Sequence, residues 1–220
     1  MTMKNNLSFL ALFLLLTIPV SVSAQKSLSE GKIVFDIAMT DGDMDPQMKA
    51  MMPSESTVFI KNGKSRTEIS MAMGMSSASI YDSKTGQITA LTDFMGNKTY
   101  MTMDSQKEGA KGGKPVVEQS TETKTIAGYL CKKAVIKMKD GSTMNVYHTD
   151  KINGGMPEVI GAQDLGGYPL EYTVDQMGFK MTFTARSVTA EKVSDDQFKV
   201  PAGYKFVTQE ELQKMYGGGN

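Results

Sequence analysis

The sequence predicts a mainly β domain with a few short helices (α+β), built on one large curved antiparallel sheet or half-open barrel. Three observations support this prediction. Apolar residues alternate with other residues along several segments, as Ile33, Phe35 and Ile37 do in "KIVFDIAM". Hairpin signals such as Asn62-Gly63 join these segments. Helix signals are few, so we expect two or three short helices and roughly eight to ten strands, and a sheet of that size tends to curl.

The predicted strands follow one another through short turns. In chain order they are "KIVFDIAM"; "STVFIKNGKSRTEISMAMGM", turning at Asn62-Gly63; "SASIYDSKTGQITALTD", turning at Ser83 to Gly86; "NKTYMTMD", opened by a turn at Gly96-Asn97; "CKKAVIKMKDGSTMNVYHTD", turning at Asp140-Gly141; and "YPLEYTVDQMGFKMTFTARSVTAEKV", turning at Gln176 to Gly178. Residues 104–115 are polar and rich in Gly and Lys, which predicts a loop.

Two segments carry helix signals. In "DMDPQMKAMMP", Asp45 is placed to cap a helix and Pro46 suits its first position. Its Met48, Met51 and Met52 then fall on one face, and Pro53 ends the helix. Near the C-terminus, Thr208 and Glu211 have the spacing of a capping box, which predicts a second helix.

The N-terminus predicts export. Lys4 precedes the apolar run "LSFLALFLLLTIPV", and "SVSA" supplies small residues before a cut, so we expect a signal peptide at 1–24 cleaved after Ala24. Residues 25–216 then form a single β-rich domain, and residues 217–220 form a flexible tail. The expected location is periplasmic or extracellular, and no second run of spanning length follows the cut.

Composition excludes several function classes. The chain of 220 residues carries 24 Lys and Arg against 24 Asp and Glu, a balance that gives no reason to expect nucleic acid as a partner. Its single cysteine, Cys131, cannot form an internal disulfide. The sequence has no Gly-rich phosphate loop, paired-cysteine motif or histidine cluster, so we expect no cofactor and no metal centre of that kind. Composition does not fix the oligomeric state.

Methionine is the main compositional bias, with 19 residues. In "TEISMAMGMSSASIYD", Met71, Met73 and Met75 stand at alternate positions after Ile69, and on a strand all four would share one face. The same pattern recurs on two later strands. The predicted ligand-binding face therefore comprises Ile69, Met71, Met73, Met75, Met101, Met103, Phe179, Met181 and Phe183.

Three interpretations of this face stay open. Met packs well in irregular cores, so the face is explained by ordinary packing alone. A flexible, polarisable lining also suits a groove for a lipid or other apolar small molecule. Thioethers bind Cu(I) or Ag(I) as well. However, alternate methionines on one strand are about 6.5–7 Å apart, so a metal site needs ligands from a second strand.

Catalytic patterns are weak. "GMSSA" at 74–78 lacks the second glycine and the strand-to-helix setting of a nucleophile elbow. Cys131 and His148 lie on the two arms of one predicted hairpin. If Asp140-Gly141 is a two-residue turn, His148 is a diagonal neighbour of Cys131 on the same face, about 7–8 Å away, with nothing to supply an oxyanion hole. We therefore expect a protein that is not an enzyme and has no catalytic residues.

Several segments resemble the exported bacterial proteins grouped as domain of unknown function 4412. They are "IAGYLCKKAVIKMKDGSTMNVYHTD", "YPLEY", "KMTFTARSV" and "FKVPAGYK", and the resemblance spans roughly Gly31 to Met215. It implies a fold similar to that of the lipoprotein carriers, a half-open antiparallel barrel with helices in its mouth. The resemblance supplies no catalytic or ligand-contact residues, and fold alone does not define function.

These observations favour an exported, non-enzymatic protein that binds an apolar ligand, such as a lipid or acyl chain, on a Met-lined concave face. One alternative is soft-metal binding, of Cu(I) or Ag(I), through the methionines. Another is a structural or partner-binding envelope protein.

Overall fold

The computed structural model contains one sheet of 12 strands, open at both edges rather than closed into a barrel. The structure describes residues 27–41, 45–107, 113–155, 162–176 and 179–216, so the predicted signal peptide, its cleavage site and the predicted tail lie outside the described residues. The strands are β1 (Glu30–Asp41), β2 (Glu55–Lys61), β3 (Lys64–Ser70), β4 (Met75–Asp82), β5 (Gln87–Phe94), β6 (Asn97–Asp104), β7 (Val116–Ile126), β8 (Tyr129–Lys137), β9 (Thr143–Thr149), β10 (Tyr168–Gln176), β11 (Phe179–Thr189) and β12 (Lys205–Phe206). The mainly β prediction is confirmed.

The sheet order is β12-β6-β5-β4-β3-β2-β1-β11-β10-β9-β8-β7. Strands β1 to β6 form a meander, and β7 to β11 form a second meander that joins it where β11 pairs with β1. All pairs are antiparallel except β12 with β6. Strand β7 lies against β11 although three strands separate them in the sheet, so this end of the sheet curls strongly.

Both predicted helices are confirmed, with their caps. Helix α1 (Pro46–Met51) begins where the Gln47 N–H donates to Asp45 Oδ1 at 2.7 Å. Helix α2 (Gln209–Tyr216) begins with the reciprocal bonds of a capping box between Thr208 and Glu211. The other helical elements of the described residues are a helical turn at 105–107, inside the predicted loop, and three short 3₁₀ turns, Ala72–Gly74, Ala162–Leu165 and Asp195–Phe198. No helix in these ranges is long and apolar enough to cross a bilayer.

Strand β7 is not predicted by the apolar pattern, because nearly all its residues are exposed. It is an edge strand, and polar side chains hold it to its neighbours. Lys124 Nζ contacts the Glu171 carboxylate of β10 at 2.7 Å, and Glu122 accepts bonds from Lys133 and from the Tyr147 hydroxyl. Charged side chains on an edge also oppose pairing with another chain.

Register places the main core on one face of the sheet, which we call the core face. On β1 and β2 this face carries Ile33, Phe35, Ile37, Val58 and Ile60, each no more than 8% exposed. Period-two alternation in β1 predicts this face correctly. Hydrophobic burial here is the main stabilising contribution, at roughly 25 cal/mol per Å² of apolar surface.

A bulge in β10 decides which face of β8 and β9 continues the core. Between Pro169 and Glu171, β10 has one residue more than β9. The face of β9 that continues a given face of β10 is therefore the opposite one beyond this bulge. Cys131 of β8 and Ile126 of β7 therefore pack into the same cluster as Ile33, and His148, which pairs with Lys132, lies on the other face of the hairpin.

The opposite face of β2 to β6 is also covered. After β11, the C-terminal segment (residues 190–207) crosses it and ends as β12 beside β6. Lys61 Nζ donates to the Val193 carbonyl at 2.8 Å, and Arg66 donates to the Gln197 carbonyl at 3.3 Å. Beneath this segment Leu91 is only 1% exposed, so both faces of this half-sheet are packed over at least part of their area.

Candidate functional site

The prediction that Met71, Met73 and Met75 share one strand face is wrong. Strand β3 ends at Ser70 and β4 begins at Met75, so Met71 and Met73 belong to the connection between them. The Met71 N–H donates to the Met75 carbonyl at 2.9 Å, and residues 72–74 form a 3₁₀ turn. The alternation of apolar residues from Ile69 to Met75 runs through this turn and conceals it. The turn has Met73-Gly74 at its centre, where Asn-Gly or Asp-Gly would have marked a hairpin in the sequence.

Exposed methionines form the tips of two neighbouring hairpins. Met73 has φ 62° and is 68% exposed; Met95, at the turn between β5 and β6, has φ 53° and is 71% exposed. Each is followed by a glycine with positive φ, so both turns use a Met-Gly pair where Asn-Gly is the favoured choice. The second turn occupies Met95-Gly96, one residue before the predicted Gly96-Asn97.

The remaining predicted residues apart from Phe179 lie on the core face. Register connects Ile69 with Ser77, Met75 with Phe94, Met101 with Ala90 and Met103 with Ile88 across β3 to β6. On β11, Met181 and Phe183 lie opposite Met39 and Ile37 of β1 on the same face. Of Phe179 only its place on β11, opposite Gln176, is described.

The structure separates these residues into two environments. Met181 and Phe183 are each 8% exposed within the main core, where Phe183 stacks on Tyr172 with ring centroids 4.9 Å apart. Met101 and Met103, on β6, are half-buried at the other end of the half-sheet. The predicted set is therefore not one contiguous lining, and its β3 to β6 part is the more exposed of the two.

Between β3 and β6 the core face has a floor of small side chains. We call it the trough; its floor is Thr67, Ser77, Ser79, Ala90 and Thr92, and its larger flanking side chains are Ile69, Met75, Met101 and Met103, all half-buried. At one end Tyr81 and Ile88 are buried, and at the other Phe94 is 43% exposed. On β1 and β2 this face carries large, buried residues, whereas on β3 to β5 its side chains are mostly small and only half-buried among the described residues.

The apolar pattern of β4 does not identify the floor residues, because the face opposite to them is the more apolar one in the sequence. In "SASIYD" the apolar residues Ala78 and Ile80 alternate with Ser77 and Ser79, so Ile80 predicts the core side. Ile80 instead lies under the C-terminal segment, on the opposite face. The signal that was available is the run of small residues itself, which on a buried strand leaves space beside larger neighbours.

Hydroxyl groups in the trough have unused hydrogen-bonding capacity. In the described parts of the chain, the side chains of Ser77, Ser79 and Thr92 form no hydrogen bond with another side chain, and none is a buried unsatisfied group. The trough can therefore hold an apolar body against Met101 and Met103 and still bond a polar group. Among described residues, no group of three or more His, Cys, Asp or Glu is placed to hold a metal ion.

The hairpin that joins Cys131 and His148 also corrects a prediction. Lys132 of β8 pairs with His148 of β9, and Lys137 pairs with Thr143, one residue away from the predicted register. The loop is longer than two residues, since the Met138 N–H donates to the Ser142 carbonyl. A one-residue slip reverses the facing of every side chain. Cys131 and His148 therefore lie on opposite faces and cannot form a dyad.

Cys131 itself is a core residue. It is fully buried, and this burial raises the pKa of its thiol to about 11. A thiol with such a pKa is almost entirely protonated at neutral pH, so it is a poor nucleophile and metal ligand. Its Sγ donates weakly to the Tyr129 carbonyl at 3.5 Å.

Three comparisons place this fold among known proteins. A family model described as "N-glycanase peptide, N-terminal domain" matches residues 45–196. A solved structure of PNGF-II in the C2 space group superposes with a TM-score of 0.58 at 19% identity, covering 84% of this chain and 32% of that one. The chain thus spans about a third of that protein. No curated protein matches the sequence.

Two further solved structures are more distant. One is an uncharacterized conserved protein from Thermus thermophilus, with a TM-score of 0.47, 8% identity and coverage of 80% of this chain and 90% of that one. The other is a β-barrel-like protein of the domain of unknown function DUF1849 from Brucella abortus, with a TM-score of 0.34, 10% identity and coverage of 76% and 100%.

The resemblance to domain of unknown function 4412 is not confirmed by these matches. The family model covers most of the two meanders, from the cap of α1 to the 3₁₀ turn of the C-terminal segment. The chain belongs to the family of the N-glycanase peptide N-terminal domain.

Proposed function

We propose that the protein is a non-enzymatic binding domain that holds an elongated apolar ligand, such as a lipid or acyl chain, in the trough. The observation that supports this most is the change along the core face, from large buried residues on β1 and β2 to small half-buried ones on β3 to β5. A packed core would fill such a space, because protein interiors tolerate few voids. Concave apolar surfaces with a few polar groups are typical of small-molecule sites.

The dimensions of the trough fit one chain-like molecule. Four neighbouring strands about 4.8 Å apart span roughly 14 Å, and the trough with its flanking residues extends over at least three residues of each strand, roughly 10 Å. Met101 and Met103 supply adaptable apolar contacts along β6. The hydroxyls of Ser77 and Ser79 would bond a polar end of the ligand.

The trough can be filled by one substitution. Ala90 lies at its centre, opposite Met101, and Ala90→Phe would occupy the floor. We expect a naphthalene-sulfonate dye to bind the parent protein and to be displaced by a fatty acid, with at least a tenfold loss of dye affinity in Ala90→Phe. The matched control is Thr102→Phe, on the other face of β6, which should bind as the parent does. Equal dye affinity in the two variants would show that the dye does not bind in the trough.

The soft-metal alternative requires sulfur, whereas an apolar lining requires only volume and flexibility. Replacing Met by Leu is close to volume-conserving and costs less than about 1.5 kcal/mol at a site. A Met101→Leu, Met103→Leu protein should therefore stay folded and keep most of its affinity for the dye. Tight, stoichiometric Cu(I) binding by the parent that this variant loses would put the metal function first.

The family name suggests a second candidate function, that of a non-catalytic domain that accompanies the catalytic part of an N-glycanase. The match is to an N-terminal domain, and the chain spans 32% of PNGF-II. We expect this chain alone to leave an N-glycosylated peptide intact, since Cys131 and His148 are apart and the trough has no titratable side chain. Mass spectrometry of the incubated peptide tests this, and release of the glycan would show that the protein is an enzyme.

A further inference from the structure

A second open depression lies away from the trough, between β7, β8, β9 and the 3₁₀ turn Ala162–Leu165. Its volume is ≈ 570 Å³, and its lining residues are Gln119, Ser120, Thr121, Thr123, Lys132, His148, Leu165 and Gly166. Most of these side chains are polar. The apolar function proposed for the trough does not use any of them.

An irregularity in β7 builds one wall of this depression. Gln119 pairs with Ala134 and Thr123 pairs with Lys132, so the three intervening residues of β7 stand opposite Lys133 alone. Two of those residues, Ser120 and Thr121, line the depression. Bulges of this kind re-aim side chains and often lie beside functional sites. Here the bulge places hydroxyl groups next to Lys132.

Two basic side chains face each other across the floor. Lys132 and His148 are direct register partners on β8 and β9. Like charges directly opposite on neighbouring strands repel. Burial of His148, followed by the charge of Lys132, lowers the pKa of the imidazole. Both causes disfavour the protonated form of His148, and the Lys132 ammonium group beside it forms no salt bridge with any described residue.

The orientation of His148 is fixed by a short chain of hydrogen bonds. The Gln119 amide donates to the Leu165 carbonyl at 3.1 Å, so its oxygen is left to accept from His148 Nε2, also at 3.1 Å. This pairing assigns the proton to Nε2. Nδ1 is buried without a partner and lies close to the backbone of Gly167. His148 is 5% exposed, and a buried nitrogen without a hydrogen-bond partner destabilises the folded protein. Such groups are rare and often have a functional explanation.

Nearby acidic groups are already neutralised by other cations. Just after β9, Asp150 pairs with Lys151; on β7, Glu122 pairs with Lys133; and Asp164, beside Leu165, pairs with Lys114. Lys132 is consequently the uncompensated charge of the depression. Its ammonium group is exposed, so an anion from solution can reach it.

We propose that this depression binds a small oxyanion, either a carboxylate or a sulfate-like group carried by a ligand, through Lys132 and the hydroxyls of Ser120, Thr121 and Thr123. The anion offsets the positive charge of Lys132, which disfavours the protonated form of His148, so His148 takes up a proton more readily when the anion is bound. By linkage, affinity for the anion rises as pH falls through the titration of His148. Lys132 is the binding residue, and Gln119 orients His148, whose protonation responds to the anion.

The single histidine makes the test direct, because one imidazole signal reports one site. A protein without a histidine tag is titrated by NMR between pH 5 and 8 in sodium chloride, in sodium sulfate and in sodium acetate at matched ionic strength. Sulfate stays fully charged over this range. We expect at least one oxyanion to raise the pKa of His148 by about half a unit or more, which corresponds to a roughly threefold or greater preference for the protonated form.

The outcome of the parent titration is decisive without any variant. A response to sulfate or to acetate supports the proposal and identifies the group that the ligand carries; no response to either overturns it. Lys132→Gln should abolish the response. Lys137→Gln, on the same strand but outside the depression and on its other face, should retain it. An equal response in Lys132→Gln would show general screening by salt and would also overturn the proposal.

Discussion

At the scale of single residues, the most informative feature is a methionine in the left-handed region at each of two hairpin tips. Met73 and Met95 are exposed, so burial of their side chains does not offset the free-energy cost of their left-handed backbone conformation. Asn62 occupies the same position in the β2–β3 turn, where the sequence predicts the hairpin correctly. Asn at that position bonds locally and tolerates positive φ, whereas Met does neither.

Met95→Asn should therefore stabilise the protein. The left-handed conformation costs a typical L-residue about 1 kcal/mol, and Asn carries less of that cost. We expect the free energy of unfolding in urea to rise by up to about 1 kcal/mol. As a control, Met95→Leu should change it little, and a destabilised Asn variant would show that Met95 makes a contact we have not identified.

Cys131 gives a second test at this scale. Its thiol pKa of about 11 and its full burial predict no reaction with a maleimide or an aromatic disulfide at pH 8 in the native protein. Complete reaction should follow denaturation. Rapid labelling of the folded protein would contradict the placement of Cys131 in the core.

His148 predicts a pH dependence of stability. Its folded-state pKa is lowered by burial and by Lys132, whereas the unfolded chain binds a proton below about pH 6.5. The unfolded state therefore binds more protons in acid, so stability falls as pH drops below about 6.5, by at most about 1.4 kcal/mol per pH unit.

Urea unfolding in chloride buffer at pH 7.5 and 5.5 measures this effect. The parent should lose more stability between these two values than His148→Gln, which cannot take up the proton. Equal losses would show that His148 is not desolvated in the folded protein.

At the scale of elements, register decides what a sequence pattern can predict. Alternation in β1 predicts the core side correctly because Ile33, Phe35 and Ile37 face a single core. It fails in β4, since Ile80 is buried on the opposite face by the C-terminal segment, which is distant in sequence. It also fails for β7, an edge strand whose exposed residues carry no apolar period.

The C-terminal segment should be an integral part of the fold rather than a tail. Leu91, 1% exposed beneath it, should cost 2–5 kcal/mol when replaced by Ala, because deletion of buried methyl groups also leaves a cavity. Leu130, 54% exposed on β8, is the matched control and should cost less than about 0.5 kcal/mol. Urea unfolding compares the two, and similar losses would mean that this face is not packed as described.

At the scale of the whole molecule, fold class and most hairpins could be predicted, but the site only in part. Ile69, Met75, Met101 and Met103 were predicted and do flank the trough. The floor around Ala90 could not be predicted, because its small residues come from separate strands and are seen to be neighbours only when the register of the strands is known. The depression around Lys132 depends on a bulge and on a register one residue away from the simplest hairpin.

Native mass spectrometry of the protein purified from its own host tests the central claim most directly. If the trough binds an apolar ligand, the parent should retain an added mass whose fragments are those of a lipid or acyl chain, and Ala90→Phe should lose it. The Thr102→Phe control should retain the same added mass. A parent found only at the mass of its bare chain, or an Ala90→Phe variant that keeps the adduct, would contradict the assignment of the trough as a ligand site.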